Sequence, residues 1–79
     1  MPLPAEKIRT LHKYELRILA VLERLMKRYA WVPEEQIRHA ADLSASEIAY
    51  RISRLMEYGM VRYNTVPYDG YSLVFTGYD

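Results

Sequence analysis

The strongest constraint on the fold is a helix whose two ends can both be read from the sequence. Ser44 begins a Ser-Ala-Ser-Glu stretch that is typical of a capping box. The Ser44 side-chain oxygen can accept a hydrogen bond from the Glu47 amide, and the Glu47 carboxylate can accept one from the Ser44 amide. Gly59 then supplies the left-handed residue that commonly ends a helix. These signals predict a helix over residues 45–58. Its apolar face repeats at helical spacing and comprises Ile48, Ile52, Leu55 and Met56.

Two earlier helices are predicted from the same kind of pattern. A first helix over residues 11–29 follows from apolar residues in steps of three and four. These are Leu11, Tyr14, Ile18, Leu22, Leu25 and Tyr29. Val32 precedes a proline, which favours a short extended segment over Ala30-Trp31-Val32. Pro33 with two glutamates after it is typical of a helix start and predicts a second, short helix over residues 33–41.

Beyond Gly59 the pattern becomes typical of strands. Residues 60–63 and 71–76 are rich in Val, Tyr, Phe and Thr, and a Pro-Tyr-Asp-Gly segment separates them. This predicts a hairpin over residues 60–76, with Gly70 supplying a positive φ in the turn. A short helix, a tight turn, a well-capped helix and a two-stranded wing predict a winged helix-turn-helix, an α+β fold that is mostly α.

Length and composition narrow the classes of function. A chain of 79 residues predicts a single domain over residues 1–79 and excludes a catalytic site spread over two lobes. The lack of cysteine excludes a disulfide framework, a thiolate nucleophile and a cysteine-based zinc site. His12 and His39 are far apart and predict no metal site. Without a membrane-spanning apolar run or a signal peptide, we expect a cytoplasmic protein with no membrane partner.

The distribution of charge is more informative than its total of +1. All eleven lysines and arginines lie within residues 1–62, against eight acids, whereas residues 63–79 hold two aspartates and no cation. This modest positive excess suits an anionic partner but is far below the charge of most nucleic-acid-binding domains. Composition alone therefore leaves the function open.

The exposed face of the third helix is the first candidate binding surface. Arg51 and Arg54 can donate to phosphate or to a guanine edge, and Tyr50 can stack on a base. Glu47 can pair with Arg51 and Glu57 with Arg54, in which case the face is only solvated. The predicted nucleic-acid-binding residues of this helix are Ser46, Tyr50, Arg51, Ser53 and Arg54.

The first helix carries two further candidate surfaces. Its cationic stripe consists of Lys13, Arg17, Arg24 and Arg28, whose spacing follows the helical repeat. This stripe can contact a nucleic-acid backbone or be merely solvated. A second apolar strip, away from the main buried face, consists of Leu16, Leu19 and Ala20. The strip predicts a protein-partner surface, either for another domain or for a second copy, unless the termini cover it.

The wing is predicted to carry tyrosines and no cation. Its tyrosines can stack on unpaired bases, but filling the small core is the favoured interpretation for Tyr63, Tyr68 and Tyr71. A wing without lysine or arginine is poorly suited to grip the phosphates of duplex DNA. RNA is therefore the preferred nucleic acid, with DNA as the alternative.

In this order of motifs the chain resembles the N-terminal winged-helix domain of the Rio-type atypical serine protein kinases, in the second subfamily and especially its archaeal members. The resemblance covers most of the chain. The matching motifs are Trp31-Val32-Pro33, Tyr50-Arg51, Arg54-Leu55, Gly59-Met60-Val61, Gly70-Tyr71 and Thr76-Gly77-Tyr78-Asp79. The resemblance implies a domain that precedes an ATP-dependent kinase or ATPase of small-ribosomal-subunit maturation and contacts nucleic acid or the pre-ribosome.

The chain itself is predicted not to be an enzyme. It has no Gly-rich phosphate loop, catalytic-loop aspartate or metal-binding aspartate, so we expect neither a cofactor nor a small-molecule substrate, ATP included. The favoured function is a nucleic-acid-binding module of a Rio-like kinase, directed to ribosomal RNA or the pre-ribosome. The alternatives are a protein-interaction module that docks on a kinase lobe or forms a homodimer, and a free-standing DNA-binding transcription regulator.

Overall fold

A computed structural model of the chain describes residues 11–66 and 68–74. The elements in chain order are α1 (Lys13–Leu25), α2 (Glu34–Ala41), α3 (Ala45–Glu57), β1 (Val61–Asn64) and β2 (Gly70–Leu73). The predicted winged helix-turn-helix is confirmed, with α2 and α3 as the helix-turn-helix and the two strands as the wing. The last two residues of the predicted hairpin, 75 and 76, lie outside the described residues.

The start of α1 is capped from both directions. The Nδ1 atom of His12 accepts the amide of Tyr14 at 3.0 Å, and the Glu15 carboxylate accepts the amide of His12 at 3.1 Å. Both contacts satisfy amides that have no partner within the helix. His12 is thus the N-terminal cap, and α1 begins at Lys13, two residues after the predicted start.

α1 ends at Leu25, earlier than the predicted residue 29. The amides of Arg28 and Tyr29 both donate to the Leu25 carbonyl, so the chain continues as a turn. Leu25, Met26 and Tyr29 nevertheless pack against the core. The apolar spacing therefore predicts correctly which residues face the core, even for residues that follow the end of the helix.

The helix-turn-helix is defined by its caps. Pro33 is the N-cap of α2, and Asp42 ends that helix in the left-handed conformation at φ 55°. The Ser44 hydroxyl accepts the amide of Glu47 at 3.2 Å, which confirms the predicted start of α3. The reciprocal half of the predicted capping box is wrong, because the Glu47 carboxylate is instead bonded by Arg51 Nε at 2.7 Å.

The C-terminus of α3 is closed at the predicted glycine. Gly59 has φ 75°, and its amide donates to the Met56 carbonyl at 3.0 Å. The amide of Met60 donates to the Leu55 carbonyl at 3.0 Å. This pair of bonds is a Schellman motif, which satisfies the last carbonyls of the helix and turns the chain toward β1.

The wing is an antiparallel hairpin that packs on the core and is also joined by a backbone bridge to the segment before α2. β1 pairs with β2 so that Val61 lies opposite Leu73. Val32, in the predicted extended segment, exchanges two backbone hydrogen bonds with Tyr71, at 2.8 and 2.9 Å. The segment before α2 therefore acts as a minimal third strand beside β2 and fixes where the wing lies.

The role predicted for Gly70 is wrong. Among the described residues, Gly59 is the glycine with a positive φ in the left-handed region, and Gly70 has no such conformation. A Cβ atom on Gly70 would instead lie 2.7 Å from the carbonyl carbon of Trp31 and 2.8 Å from its Cβ. Glycine is required there because two backbone segments approach closely.

One hydrophobic core joins all five elements. It lies where α1 packs on α2, α3 and β2. Met26 extends it toward the sheet, since its sulfur accepts the amide of Leu73 at 3.4 Å. Every buried side-chain nitrogen or oxygen in the described part of the chain has a hydrogen-bond partner. The most fully buried apolar side chains are Ile18, Leu22, Val32, Ile37, Ile48, Ile52, Leu55 and Met60.

Replacement of Gly70 by alanine is expected to destabilise the domain by about 1–3 kcal/mol, since the new methyl group meets backbone atoms of Trp31 that cannot rotate away. Gly59→Ala is the matched variant, because its new methyl group meets no atom within 4 Å and it carries only the cost of a left-handed backbone, about 1–2 kcal/mol. Urea unfolding followed by circular dichroism measures both. A wild-type midpoint for Gly70→Ala would contradict the close approach.

Candidate nucleic-acid interface

The predicted binding residues of α3 divide into exposed and partly enclosed side chains. Ser46, Ser53 and Tyr50 are exposed, and Tyr50 leaves 54 % of its surface accessible. Arg51 and Arg54 are more enclosed, with 16 % and 39 % of their side chains exposed. The helix therefore presents an exposed aromatic ring beside the Arg51 guanidinium, which lies 5.0 Å from the ring centroid.

The group that holds both arginines is a buried carboxylate on α1. The Glu15 side chain is 2 % exposed, and its Oε2 atom lies 3.1 Å from Arg51 Nη1 and 3.4 Å from Arg54 Nε. Its other oxygen accepts the His12 amide. The buried carboxylate accepts two hydrogen bonds, from the His12 amide and from Arg51, and Arg54 adds a second positive charge at ion-pair distance, so its charge is matched.

Glu15 was not among the predicted site residues. It stands four residues after Leu11 and three before Ile18, both buried, and so lies on the apolar face of α1. An acid on an apolar face predicts a buried partner of opposite charge, and this was the available signal. The identity of that partner cannot be read locally, because Arg51 is 36 residues away.

The two arginines also have partners within α3. Arg51 donates to Glu47, as predicted, and this hydrogen bond is the main reason why the pKa of Arg51 is raised, with Glu15 adding to it. Arg54 forms an ion pair with Glu15 and donates a hydrogen bond to the Tyr58 hydroxyl, where the sequence predicted pairing with Glu57. The hydrogen bond to Tyr58 is the first cause of the raised pKa of Arg54. Both side chains are therefore cationic and oriented.

The cationic stripe of α1 is divided by the structure. Lys13 and Arg17 lie over the ring of Tyr14, with Nζ 5.5 Å and Cζ 5.2 Å from its centroid, and Arg51 reaches the same ring at 5.9 Å. This half of the stripe therefore adjoins the arginines of α3. Arg24 is in the last turn of α1, and Arg28 lies beyond its end. The prediction that all four cations form one stripe on a single helix is wrong for Arg28, which follows the end of α1.

Arg17 has a structural contact as well. Its Nη1 atom donates to the carbonyl of Ala41 at 2.9 Å, at the C-terminus of α2. A cation at a helix C-terminus satisfies an orphan carbonyl and favours the helix dipole. Arg17 therefore ties α1 to the turn of the helix-turn-helix and remains only partly available for a ligand.

The predicted apolar strip of α1 is narrower than its three residues suggest. Leu16 and Ala20 are exposed, whereas Leu19 is half-buried and packs against the core. Leu16 leaves 42 % of its surface accessible. A partner surface, if used, therefore centres on Leu16 and Ala20.

The wing differs from the prediction in two respects. Tyr63 and Tyr68 are exposed and do not fill the core, while Tyr71 is half-buried against it. The first strand also carries a cation, since Arg62 is exposed on β1 and its guanidinium lies 5.2 Å from the centroid of Trp31. The prediction of a wing without a cation is therefore wrong, because Arg62 lies inside the strand predicted over residues 60–63.

The candidate face of α3 borders a concavity. His12, Glu15, Tyr50, Arg51 and Arg54 line a shallow concavity of about 360 Å³ between the start of α1 and α3. Across residues 11–66 and 68–74, no three histidine or acidic side chains are grouped so that they could hold a metal ion. Within the same ranges no helix is long and apolar enough to cross a bilayer.

Comparison with known proteins identifies relatives of the chain. The family described as Rio2, N-terminal, matches residues 8–79. The chain is also similar to the crystal structure of the Rio2 kinase–ADP/Mg²⁺–phosphoaspartate complex from Chaetomium thermophilum. That match has a TM-score of 0.79 and 27 % identity and covers 95 % of this chain but 23 % of the other. No curated protein matches the sequence. These matches confirm the resemblance inferred from the sequence motifs.

Replacement of Glu15 by glutamine is expected to lower the free energy of unfolding by about 1 kcal/mol or more. The amide keeps the shape of the side chain but has one acceptor oxygen for the His12 amide and two guanidinium groups, so at least one hydrogen bond is lost. Thermal unfolding measures the loss. Glu23→Gln, an exposed acid of the same helix, is the control, and equal melting temperatures of the two variants would contradict the bridging role.

Proposed function

The chain belongs to the Rio2 N-terminal domain family, and we propose that it binds structured RNA through the joint surface of α1 and α3. The RNA interface, as we define it, consists of Lys13, Tyr50, Arg51 and Arg54, with Ser46 and Ser53 at its edge. The observation that carries the proposal is the convergence of Lys13 and Arg17 from one helix and Arg51 from another on the ring of Tyr14.

The orientation of the arginines supports binding. Glu15 and Glu47 fix the plane of the Arg51 guanidinium, and Arg54 is fixed by Glu15 and Tyr58. Guanidinium groups that are already ordered lose little conformational entropy when a phosphate binds their remaining donors. A loose surface arginine would bear that cost at each contact.

The same carboxylates limit the strength of binding. Glu15 and Glu47 neutralise part of the positive charge of the RNA interface, so long-range attraction to phosphate is moderate. Such a surface is suited to recognise the shape of a folded RNA by a few fixed contacts. Tyr50 adds stacking on a base that is not fully paired.

RNA is preferred to duplex DNA because of the wing. Its tip, residues 65–69, contains no lysine or arginine, and the cation of β1 is engaged with Trp31. A wing that grips a DNA backbone needs cations at its tip. Duplex DNA recognition by a free-standing regulator is therefore the weaker alternative.

For the parent protein we propose the role that the family name suggests. The chain spans 23 % of the length of the solved Rio2 kinase that it resembles. We infer that the domain accompanies a cytoplasmic ATP-dependent kinase or ATPase and directs it to ribosomal RNA during maturation of the small subunit. The domain itself would supply binding, and the nucleotide chemistry would belong to the kinase part.

Replacement of Tyr50 by alanine is expected to weaken binding to a structured RNA hairpin at least about fivefold, through loss of base stacking. Lys13→Ala is expected to lower the slope of log affinity against log salt by about 0.9, because one phosphate contact is lost. Fluorescence anisotropy across a salt series measures both. Both side chains are exposed and outside the core, so folding should be unaffected.

Arg24→Ala is the matched control for Lys13→Ala, because it removes the same charge from the other end of α1. Its affinity for the hairpin should stay within about twofold of wild type, since it lies outside the RNA interface. A blunt DNA duplex of equal length tests the alternative. The lack of measurable affinity for RNA and DNA at low salt would refute the proposal, and equal loss in all three variants would refute the interface.

A protein-interaction role is a second candidate, supported by the exposure of Leu16 beside Ala20. If a second copy or a kinase lobe docks there, Leu16→Gln should weaken the association about tenfold or more, as expected for a buried apolar side chain at an interface. Sedimentation at high concentration measures self-association. Met56→Gln, an equally exposed apolar residue on α3, is the control. A strictly monomeric wild type would refute the homodimer.

A further inference from the structure

A second concavity lies beside the wing, away from the RNA interface. It has a volume of about 360 Å³ and is formed by the end of α1, the segment before α2 and the hairpin turn. This volume is near the lower end of the range for ligand pockets and suits one small planar group. Its lining residues, here named the aromatic cleft, are Arg28, Tyr29, Ala30, Trp31, Pro33 and Tyr68.

The rings of the aromatic cleft are not stacked on one another. In the described part of the chain the aromatic pairs are His12 with Tyr14 and Tyr63 with Tyr71, and no ring of the cleft belongs to either. Tyr68 leaves 72 % of its surface accessible. Rings that line one concavity without pairing leave room for a planar group, whose faces would complete the stacking.

The walls of the aromatic cleft are fixed by backbone contacts. The bridge between Val32 and Tyr71 holds the strand that carries Trp31 against β2. The side-chain amide of Asn64 donates to the Tyr68 carbonyl at 3.0 Å, which ties Tyr68 to the end of β1. Arg62 lies over the Trp31 ring at 5.2 Å. The cleft therefore exists before a ligand arrives, which reduces the entropy lost on binding.

The charge of the aromatic cleft selects among planar ligands. Arg28 lines it, Lys27 precedes it in the same turn, and none of the lining residues is acidic. A group that is both planar and anionic uses the rings and the guanidinium together. A proline-rich peptide would pack against the rings but would leave the positive charge of Arg28 without a partner.

We propose that the aromatic cleft binds one unpaired nucleotide of RNA, with its base against Trp31 and Tyr68 and its phosphate on Arg28. This inference rests on the proposed function, since it gives the bound RNA an unpaired base. It adds a second contact on a different side of the domain from the RNA interface. A paired stem would engage α1 and α3, and an extruded or single-stranded base would engage the cleft.

The experiment uses Trp31 as its own reporter, since it is the single tryptophan of the chain. Short single-stranded RNA should quench its fluorescence saturably, whereas an abasic oligonucleotide of equal length and a blunt RNA duplex should not. Tyr68→Ala should weaken the affinity measured by quenching at least about fivefold. Arg28→Gln should lower the salt slope of the quenching affinity by about 0.7.

Tyr63→Ala is the matched control, because it removes an exposed tyrosine of the wing that belongs neither to the RNA interface nor to the aromatic cleft, and it should leave the quenching curve unchanged. If wild type binds the hairpin but no single-stranded RNA quenches Trp31, the cleft proposal is wrong and the proposed function stands. If single-stranded RNA quenches Trp31 while Tyr50→Ala binds the hairpin normally, the RNA interface is wrong and the cleft stands. Quenching by the abasic strand would overturn the nucleotide assignment. The same holds if a proline-rich peptide quenches Trp31 with a higher affinity than RNA does.

Discussion

The bridge from Glu15 to Arg51 and Arg54 determines how the first and third helices meet. One carboxylate accepts hydrogen bonds from the cap amide of α1 and from Arg51 of α3, and it forms an ion pair with Arg54 of the same helix. Apolar packing alone is non-directional and would tolerate small rotations of α3 about its axis. Three directed contacts to one buried ion remove that freedom. The face that α3 presents to a ligand is therefore set from inside the domain.

Much of the fold was predictable because its signals are local. Ser44, Gly59 and Pro33 act on amides or carbonyls within a few residues, so helix ends follow from short stretches of sequence. The length of α1 was overestimated because the turn at Arg28 and Tyr29 buries the same apolar positions as a helix would. Periodicity measures which residues face the core, and a turn can share that property.

The candidate site was less predictable because it depends on contacts distant in sequence. The residues of α3 were identified from their position on the helix, but the partner that orients them lies on α1. Arg62 was overlooked because the charge of the C-terminal part was counted from residue 63 onward, although the predicted strand began at residue 60. The glycine at position 70 was attributed to a positive φ, whereas its cause is the close approach to Trp31, which exists only in the folded chain. These are effects of tertiary packing, which no local window contains.

The contact between the Met26 sulfur and the Leu73 amide has a consequence for the order in which the domain is completed. It joins residues 47 positions apart, and the bridge of Val32 to Tyr71 closes a loop almost as long. The contacts among the helices are nearer in sequence and can form while the chain is still emerging from the ribosome. The last strand must then dock on a preformed helical unit. We therefore expect the helical surface to form before the wing docks, and the aromatic cleft to be complete only when β2 has joined Val32.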